Sequence, residues 1–170
     1  AAEVVLGDLS QAAADDACAF ANVDVPTDAP AARGIAMPAS GSSDELDGIL
    51  DGASAILDCL PGAQAPRMAR LAKDHGCHYL NLTEYVAETN EVLGIAEGAD
   101  TCFALQCGLA PGYINILGND LFQRATAAWG VDTVDKLEMR VGAITRHATE
   151  PHFYGWTWSP VGVATEYVKD

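Results

Sequence analysis

Short apolar runs alternate along the chain with longer stretches in which apolar residues recur at helical spacing. The run SAILDCL at 54–60 predicts the clearest buried strand, and weaker runs predict further strands at 3–6, 33–37, 78–82 and 101–105. Helical spacing predicts helices at 10–21, 43–50, 65–75, 85–98 and 114–128. Ser10 and Ser43 are placed to cap the first two helices, and Gly76 to end the third. Such alternation forms βαβ units, so the pattern predicts an α/β fold whose parallel sheet has helices on both faces.

The pattern changes from residue 136 onward. Residues 136–143 alternate between apolar and polar side chains as an antiparallel strand does, and a polar loop, an aromatic cluster at 153–158 and a short helix follow. We therefore expect residues 1–130 to form the α/β domain and residues 131–170 to begin a second, α+β domain.

The 170 residues are 49% hydrophobic and carry 9 Lys and Arg against 24 Asp and Glu, a net charge of −15. This composition excludes a disordered tail, and the negative field argues against nucleic acid and anionic membranes as partners. Scattered acids favour a solubility role over an acidic docking surface. Five cysteines without a CxxC pair predict free thiols in a reducing compartment, the cytoplasm, with Cys59 and Cys102 buried in apolar runs. No stretch approaches the roughly 18 apolar residues of a membrane span.

Asp8 stands at the end of the first predicted strand. A dinucleotide-binding fold places an acid at such a position, where the carboxylate accepts hydrogen bonds from the ribose 2′- and 3′-hydroxyls and repels a 2′-phosphate. The alternative is an acid at a helix start beside the Ser10 cap. A G-x-G-x-x-G motif about 20 residues upstream accompanies the first role, and these residues contain none.

Two further strand ends carry candidate chemistry. Residues 58–62 form a turn at the sheet edge where ligands of open α/β sheets bind, although a plain strand-terminating turn explains the same residues. Residues 81–85 lie at the end of the next strand. There Thr83 can cap the following helix, while Glu84 and Tyr85 can face a crevice.

A loop rich in glycine and proline runs from Gln106 to Asn115 into the last predicted helix. Free backbone N–H groups at that helix start suit a carboxylate ligand. Cys107 is interpreted as a small loop or pocket residue, because no base stands beside it. The aromatics of 152–159 suit a pocket wall or a dimer interface. The histidines are interpreted as surface or loop residues, so no metal site is predicted.

Taken together, these pieces resemble the saccharopine dehydrogenase family in its broad sense, which includes saccharopine reductases, lysine 6-dehydrogenases and carboxynorspermidine dehydrogenases. The loop CGLAPG followed by a helix is the most specific motif, and Ala110 with the ending TWSP…EY is closer to lysine 6-dehydrogenase-like members. The matching stretches are AILDCLPG (55–62), GCHYLNLTEY (76–85), QCGLAPGYINIL (106–117), MRVGAI (139–144) and FYGWTWSPVGVATEYV (153–168).

The resemblance implies a Rossmann-like first domain that binds NAD or NADP, the beginning of a substrate and dimerisation domain, and a homodimer. The implied reaction is hydride transfer between the nicotinamide and the amine-bearing carbon of an amino acid in lysine metabolism. Asp8 would hold the adenosine ribose, Leu60 and Pro61 would lie near the cofactor, and Thr83 near its nicotinamide end. Glu84 and Tyr85 are the candidates for proton exchange with the substrate amine. The implied substrate-binding residues are Gln106, Cys107, Gly108, Pro111, Gly112, Asn115, Tyr154, Trp156, Trp158 and Ser159.

The chain departs from the family at both ends. The family's first strand, glycine-rich turn and first helix are not among these residues, so we expect a fragment that binds dinucleotide weakly and is inactive by itself. Asp8 favours NAD over NADP, because its charge opposes a 2′-phosphate. The alternatives are a non-catalytic Rossmann-like binding module and a polyamine enzyme of the carboxynorspermidine dehydrogenase type. A short-chain epimerase or reductase is disfavoured by the lack of a Tyr-xxx-Lys pair.

Overall fold

The structure is a computed structural model that describes residues 3–26 and 29–142. The chain divides into two compact units, Ala1–Gly108 and Leu109–Asp170, which are described separately. The predicted boundary between residues 130 and 131 stays a prediction.

The first unit alternates strands and helices as the pattern predicts. Every strand pairing is parallel: β1 pairs with β2, β3 with β4, and β4 with β5. The predicted α/β class with parallel strands is therefore confirmed, in two small sheets ordered β1-β2 and β3-β4-β5. The elements are β1 (Val5–Asp8), α1 (Gln11–Ala21), β2 (Arg33–Ala36), α2 (Asp44–Leu50), β3 (Ala55–Asp58), α3 (Ala65–Asp74), β4 (His78–Asn81), α4 (Val86–Ala96) and β5 (Phe103–Ala104).

Local capping sets where the helices begin and end. The Ser10 hydroxyl accepts a hydrogen bond from the Ala13 N–H at the start of α1, and the Ser43 hydroxyl accepts one from the Leu46 N–H at the start of α2. Gly76 follows α3 with a φ of +67°, a left-handed conformation that glycine adopts without steric cost. These three predictions from the sequence are confirmed.

One hydrophobic core takes residues from both sheets and from the helices that cover them. Ile35 of β2 and Ile56 of β3 belong to it, together with Leu46 of α2, Met68 of α3 and Val92 of α4. The predicted apolar face of α3 is confirmed, because Met68 and Ala72 are buried while Arg70 and Lys73 are exposed. Both sheets therefore share a single core within the first unit.

The prediction of a sheet covered on both faces is wrong for β3. Ile56 and Asp58 are buried, but Leu57, which points to the opposite face, is 65% exposed. The prediction that Cys59 and Cys102 are buried is also wrong, because both side chains are exposed. Successive side chains of an extended segment alternate in direction, so a buried Asp58 leaves Cys59 pointing outward.

The second unit is described as far as Gly142. Its helix α5 (Tyr113–Trp129) ends at Gly130, which has a φ of +65°. The predicted strand at 136–143 is not formed in its described part, 136–142. A strand needs a hydrogen-bonded neighbour, and this segment pairs with no other described strand. No helix in the described ranges is long and apolar enough to cross a membrane.

Candidate functional site

The turn after β3 packs directly against the loop after β4. Gly62 is buried there, and a Cβ atom built on it would lie 2.5 Å from Thr83 Oγ1 and 2.8 Å from Tyr85 Cε2. No side chain fits at residue 62 without displacing one of these groups. The Pro61-Gly62 turn, Thr83 and Tyr85 are therefore brought together, as the prediction of a ligand site at the carboxyl ends of the strands requires.

The buried carboxylate of Asp58 is hydrogen-bonded to the start of the Pro61-Gly62 turn. Asp58 Oδ1 accepts a hydrogen bond from the Leu60 N–H at 2.9 Å, and Asp58 Oδ2 lies 2.7 Å from the Tyr79 hydroxyl, which donates to it. The Tyr79 hydroxyl also lies 3.2 Å from the carbonyl oxygen of Ala65. Asp58 thus links the turn after β3 to the middle of β4.

Asn81 holds the loop after β5 by hydrogen bonds to its backbone. Its Oδ1 accepts a hydrogen bond from the Gln106 N–H at 3.0 Å, and its backbone carbonyl accepts one from the Cys107 N–H at 2.8 Å. Gln106 has a φ of +58°, a backbone conformation that is unfavourable for residues other than glycine. Asn81 Nδ2 in turn donates to the Tyr79 hydroxyl at 3.4 Å.

Sequence reasoning missed Tyr79 and treated Asn81 only as part of a loop. A signal was present, because the predicted strands at 54–60 and 78–82 each carry a polar residue near the carboxyl end, Asp58 and Asn81. Asp58 and Asn81 are direct neighbours in the strand register. That register is set by the fold, so the sequence alone does not show that the two side chains converge.

The pKa of Tyr79 is raised above its ordinary value by burial and, next, by its hydrogen bond to Asp58. The folded protein therefore keeps this proton at a pH where the unfolded chain loses it. The stability that Tyr79 contributes is complete below the unfolded pKa of about 10 and falls by about 1.4 kcal/mol per pH unit above it.

We expect the free energy of unfolding of Tyr79→Phe to fall less steeply with pH above about 10 than that of the unsubstituted protein, because phenylalanine has no proton to lose. Urea denaturation at several pH values on both sides of 10, roughly the unfolded tyrosine pKa, measures it. Tyr113→Phe, which removes the hydroxyl of an exposed side chain, is the matched control. Equal alkaline slopes for Tyr79→Phe and the unsubstituted protein would contradict the assigned shift.

Asp8 lies exposed at the end of β1. Its Oδ1 accepts a hydrogen bond from the Ser10 N–H at 3.0 Å, which orients the carboxylate just before α1. This contact fits an acid at a helix start.

Thr83 does not cap the helix that follows it. The helix α4 begins at Val86 after Tyr85, without a side-chain hydrogen bond at its cap. The Thr83 hydroxyl is buried and has no hydrogen-bond partner among the described residues. A buried hydroxyl without a partner costs free energy, so this group is a candidate to meet a ligand. Glu84 beside it is exposed.

The other residues predicted to bind substrate lie in the loop that follows β5, at the start of α5, or outside the described part of the chain. Cys107 is exposed, and Gly108 is the last residue of the first unit. In the second unit Pro111 follows a cis peptide bond, and the Gly112 N–H donates to Asn115 Oδ1 at 3.0 Å, so this oxygen holds the start of α5. Four residues lie outside the described part of the chain, namely Tyr154, Trp156, Trp158 and Ser159.

The structure shows no metal site within residues 3–26 and 29–142, where no three His, Cys, Asp or Glu side chains form a suitable group. His75 and His78 stand three residues apart but have separate partners. His75 lies 2.7 Å from Asp51 and 3.3 Å from Asp47, whereas His78 Nδ1 accepts a hydrogen bond from the Cys102 N–H. A surface hollow beside α3 contains none of the predicted site residues. It is lined by Ser40, Gly41, Ser42, Arg67, Arg70 and Leu71.

Comparison of the sequence with models of protein families and with curated proteins finds no match.

Proposed function

We propose that this chain forms the cofactor-binding part of an oxidoreductase that transfers a hydride between a nicotinamide cofactor and the amine-bearing carbon of an amino acid. The strand order is the observation that carries the proposal. The dinucleotide-binding sheet has the order 3-2-1-4-5-6. Without its strand 1, that order leaves a pair 3-2 and a triplet 4-5-6, which correspond to β2-β1 and β3-β4-β5.

The shared core supports a single Rossmann-like sheet with an open place between β1 and β3. Ligands of such sheets bind beyond the carboxyl ends of the strands. Asp8, Leu60 and Thr83 follow or end three of these strands. The buried Thr83 hydroxyl, which has no hydrogen-bond partner among the described residues, supports a ligand at this edge. The glycine-rich phosphate-binding motif is not among these residues.

The resemblance to saccharopine and lysine 6-dehydrogenases supplies the reaction class. A nicotinamide cofactor held beside Asp8 and Thr83 would supply the hydride acceptor for oxidation of the amine-bearing carbon of the substrate. Glu84 or Tyr85 would take the ammonium proton before the hydride leaves. The five free cysteines support a reducing, cytoplasmic location. A homodimer follows from the resemblance alone.

Asp8 sets the expected cofactor preference. We expect Asp8→Ala to weaken NAD⁺ binding by about tenfold or more, because charge-assisted hydrogen bonds to the ribose hydroxyls are lost, and to strengthen NADP⁺ binding relative to NAD⁺, because the charge that repels the 2′-phosphate is removed. Titration calorimetry of the protein measures both dissociation constants. Asp16→Ala, which removes an exposed acid of α1 and the same charge, is the control. Equal weakening by both variants would contradict ribose recognition by Asp8.

A turnover assay tests the reaction class. The protein is incubated with NAD⁺ and either lysine or saccharopine, and the absorbance of the reduced nicotinamide is followed. Turnover with an amine substrate is the expected result. Binding of NAD⁺ without turnover on any amine, polyamine precursors included, would favour a non-catalytic binding module instead.

A further inference from the structure

Two buried side chains at the ends of neighbouring strands each hold a different loop of the candidate site. Asp58 is 5% exposed and binds the Leu60 N–H in the turn after β3, while Asn81 is 1% exposed and binds the Gln106 N–H in the loop after β5. The two residues are paired in the register of β3 and β4. Each loop is therefore bonded to the end of a strand through a buried side chain, and the loop after β5 also through the backbone carbonyl of Asn81.

The Tyr79 hydroxyl joins these two side chains. It donates to Asp58 Oδ2 and accepts from Asn81 Nδ2, and its ring is fully buried. A continuous path of hydrogen bonds runs from the Leu60 N–H through Asp58, Tyr79 and Asn81 to the Gln106 N–H. Polar groups buried in a sheet are costly unless each finds its partner, so the path constrains all its members together.

We propose that the Asp58–Tyr79–Asn81 network couples the turn after β3 to the loop after β5, so that these two segments of the candidate cofactor site keep one shared position. All three are positioning residues that act through the backbone of the loops. The effect on a dinucleotide rests on the proposed function, but the coupling of the loops does not.

Two substitutions in the network are expected to differ in their effect on the hydrogen-bond path. Tyr79→Phe keeps the ring and deletes the link. Asp58→Asn keeps the acceptor for the Leu60 N–H, and its new amide can donate to the Tyr79 hydroxyl, which then donates to the Ala65 carbonyl oxygen. We therefore expect Asp58→Asn to preserve the coupling that Tyr79→Phe destroys.

Residue-resolved amide hydrogen exchange measures the coupling. Tyr79→Phe is expected to reduce protection of both the Leu60 and Gln106 amides by about tenfold relative to amides of α1, and Asp58→Asn to change it by less than about threefold. Asn22→Ala is the control. It removes two side-chain hydrogen bonds to the backbone of Ala32, which lies just before the first residue of β2 and so at the strand end away from the candidate site. This control is expected to lower the melting temperature without a selective change at Leu60 or Gln106.

Two results would overturn the proposal: unchanged Leu60 and Gln106 amides in Tyr79→Phe, or a uniform loss of protection like that of the control. If Tyr79→Phe does not fold, amide exchange of Gln106 is measured in Asp58→Ala instead. The Gln106 N–H keeps its own acceptor on Asn81 in this variant. Unchanged protection of the Gln106 amide would again overturn the proposal. An NAD⁺ titration of the same variants separates the two claims. Coupled loops without NAD⁺ binding would contradict the proposed function and leave the coupling standing.

Discussion

Met68→Ala is expected to lower the free energy of unfolding by about 2–5 kcal/mol, the range for truncating a buried long apolar side chain. Met68 is 5% exposed and lies on the face of α3 that packs into the core. The truncation removes apolar contacts and leaves a cavity that its neighbours fill only in part. Since α3 begins shortly after the Pro61-Gly62 turn, its packing also anchors that turn.

Urea denaturation measures the loss, with Leu93→Ala as the control. Leu93 belongs to α4 and follows the buried Val92, but it is 54% exposed, so its truncation is expected to cost less than about 0.5 kcal/mol. Helical spacing alone predicts that Leu93 shares the buried face of Val92. Equal losses from Met68→Ala and Leu93→Ala would contradict the core as described.

Gly62→Ala is expected to lower the free energy of unfolding by about 1–3 kcal/mol, the usual cost of overpacking. The added methyl group would overlap the Thr83 hydroxyl and the Tyr85 ring, so either the turn after β3 or the loop after β4 must move. Because those loops form the candidate site, we expect the amide resonances of Leu60 and Thr83 to shift as well.

The matched control is Gly94→Ala. Gly94 lies inside α4, and a Cβ atom built on it has no neighbour within 4 Å. Alanine is the better helix former, so this variant is expected to gain about 0.5–1 kcal/mol. If Gly62→Ala were as stable as Gly94→Ala, the close packing of the turn against Thr83 and Tyr85 would be wrong.

The strands and helices of the first unit were predictable because their signals are local. Apolar runs mark the strands, and Ser10, Ser43 and Gly76 mark helix ends through contacts within a few residues. Exposure was less predictable, since it depends on what covers each face. Leu57 and Cys59 stand in apolar sequence, yet both are exposed.

The candidate site was predictable in outline and not in its contacts. The rule that ligands bind at the carboxyl ends of parallel strands singles out Asp8, Leu60 and Thr83. It does not show that Thr83 leaves the helix uncapped, because Thr83 fits a cap as well as a loop. The convergence of Asp58, Tyr79 and Asn81 depends on strand register, which is a property of distant segments.

The most direct test of a dinucleotide site at the carboxyl ends of the strands is an NMR titration of the isotope-labelled chain with millimolar NAD⁺, because affinity without the glycine-rich motif is expected to be weak. The account predicts amide shifts grouped at Asp8, Leu60 and Thr83, with smaller shifts from NADP⁺. Shifts confined to the hollow lined by Ser40 and Arg67, or no shifts at all, would contradict it.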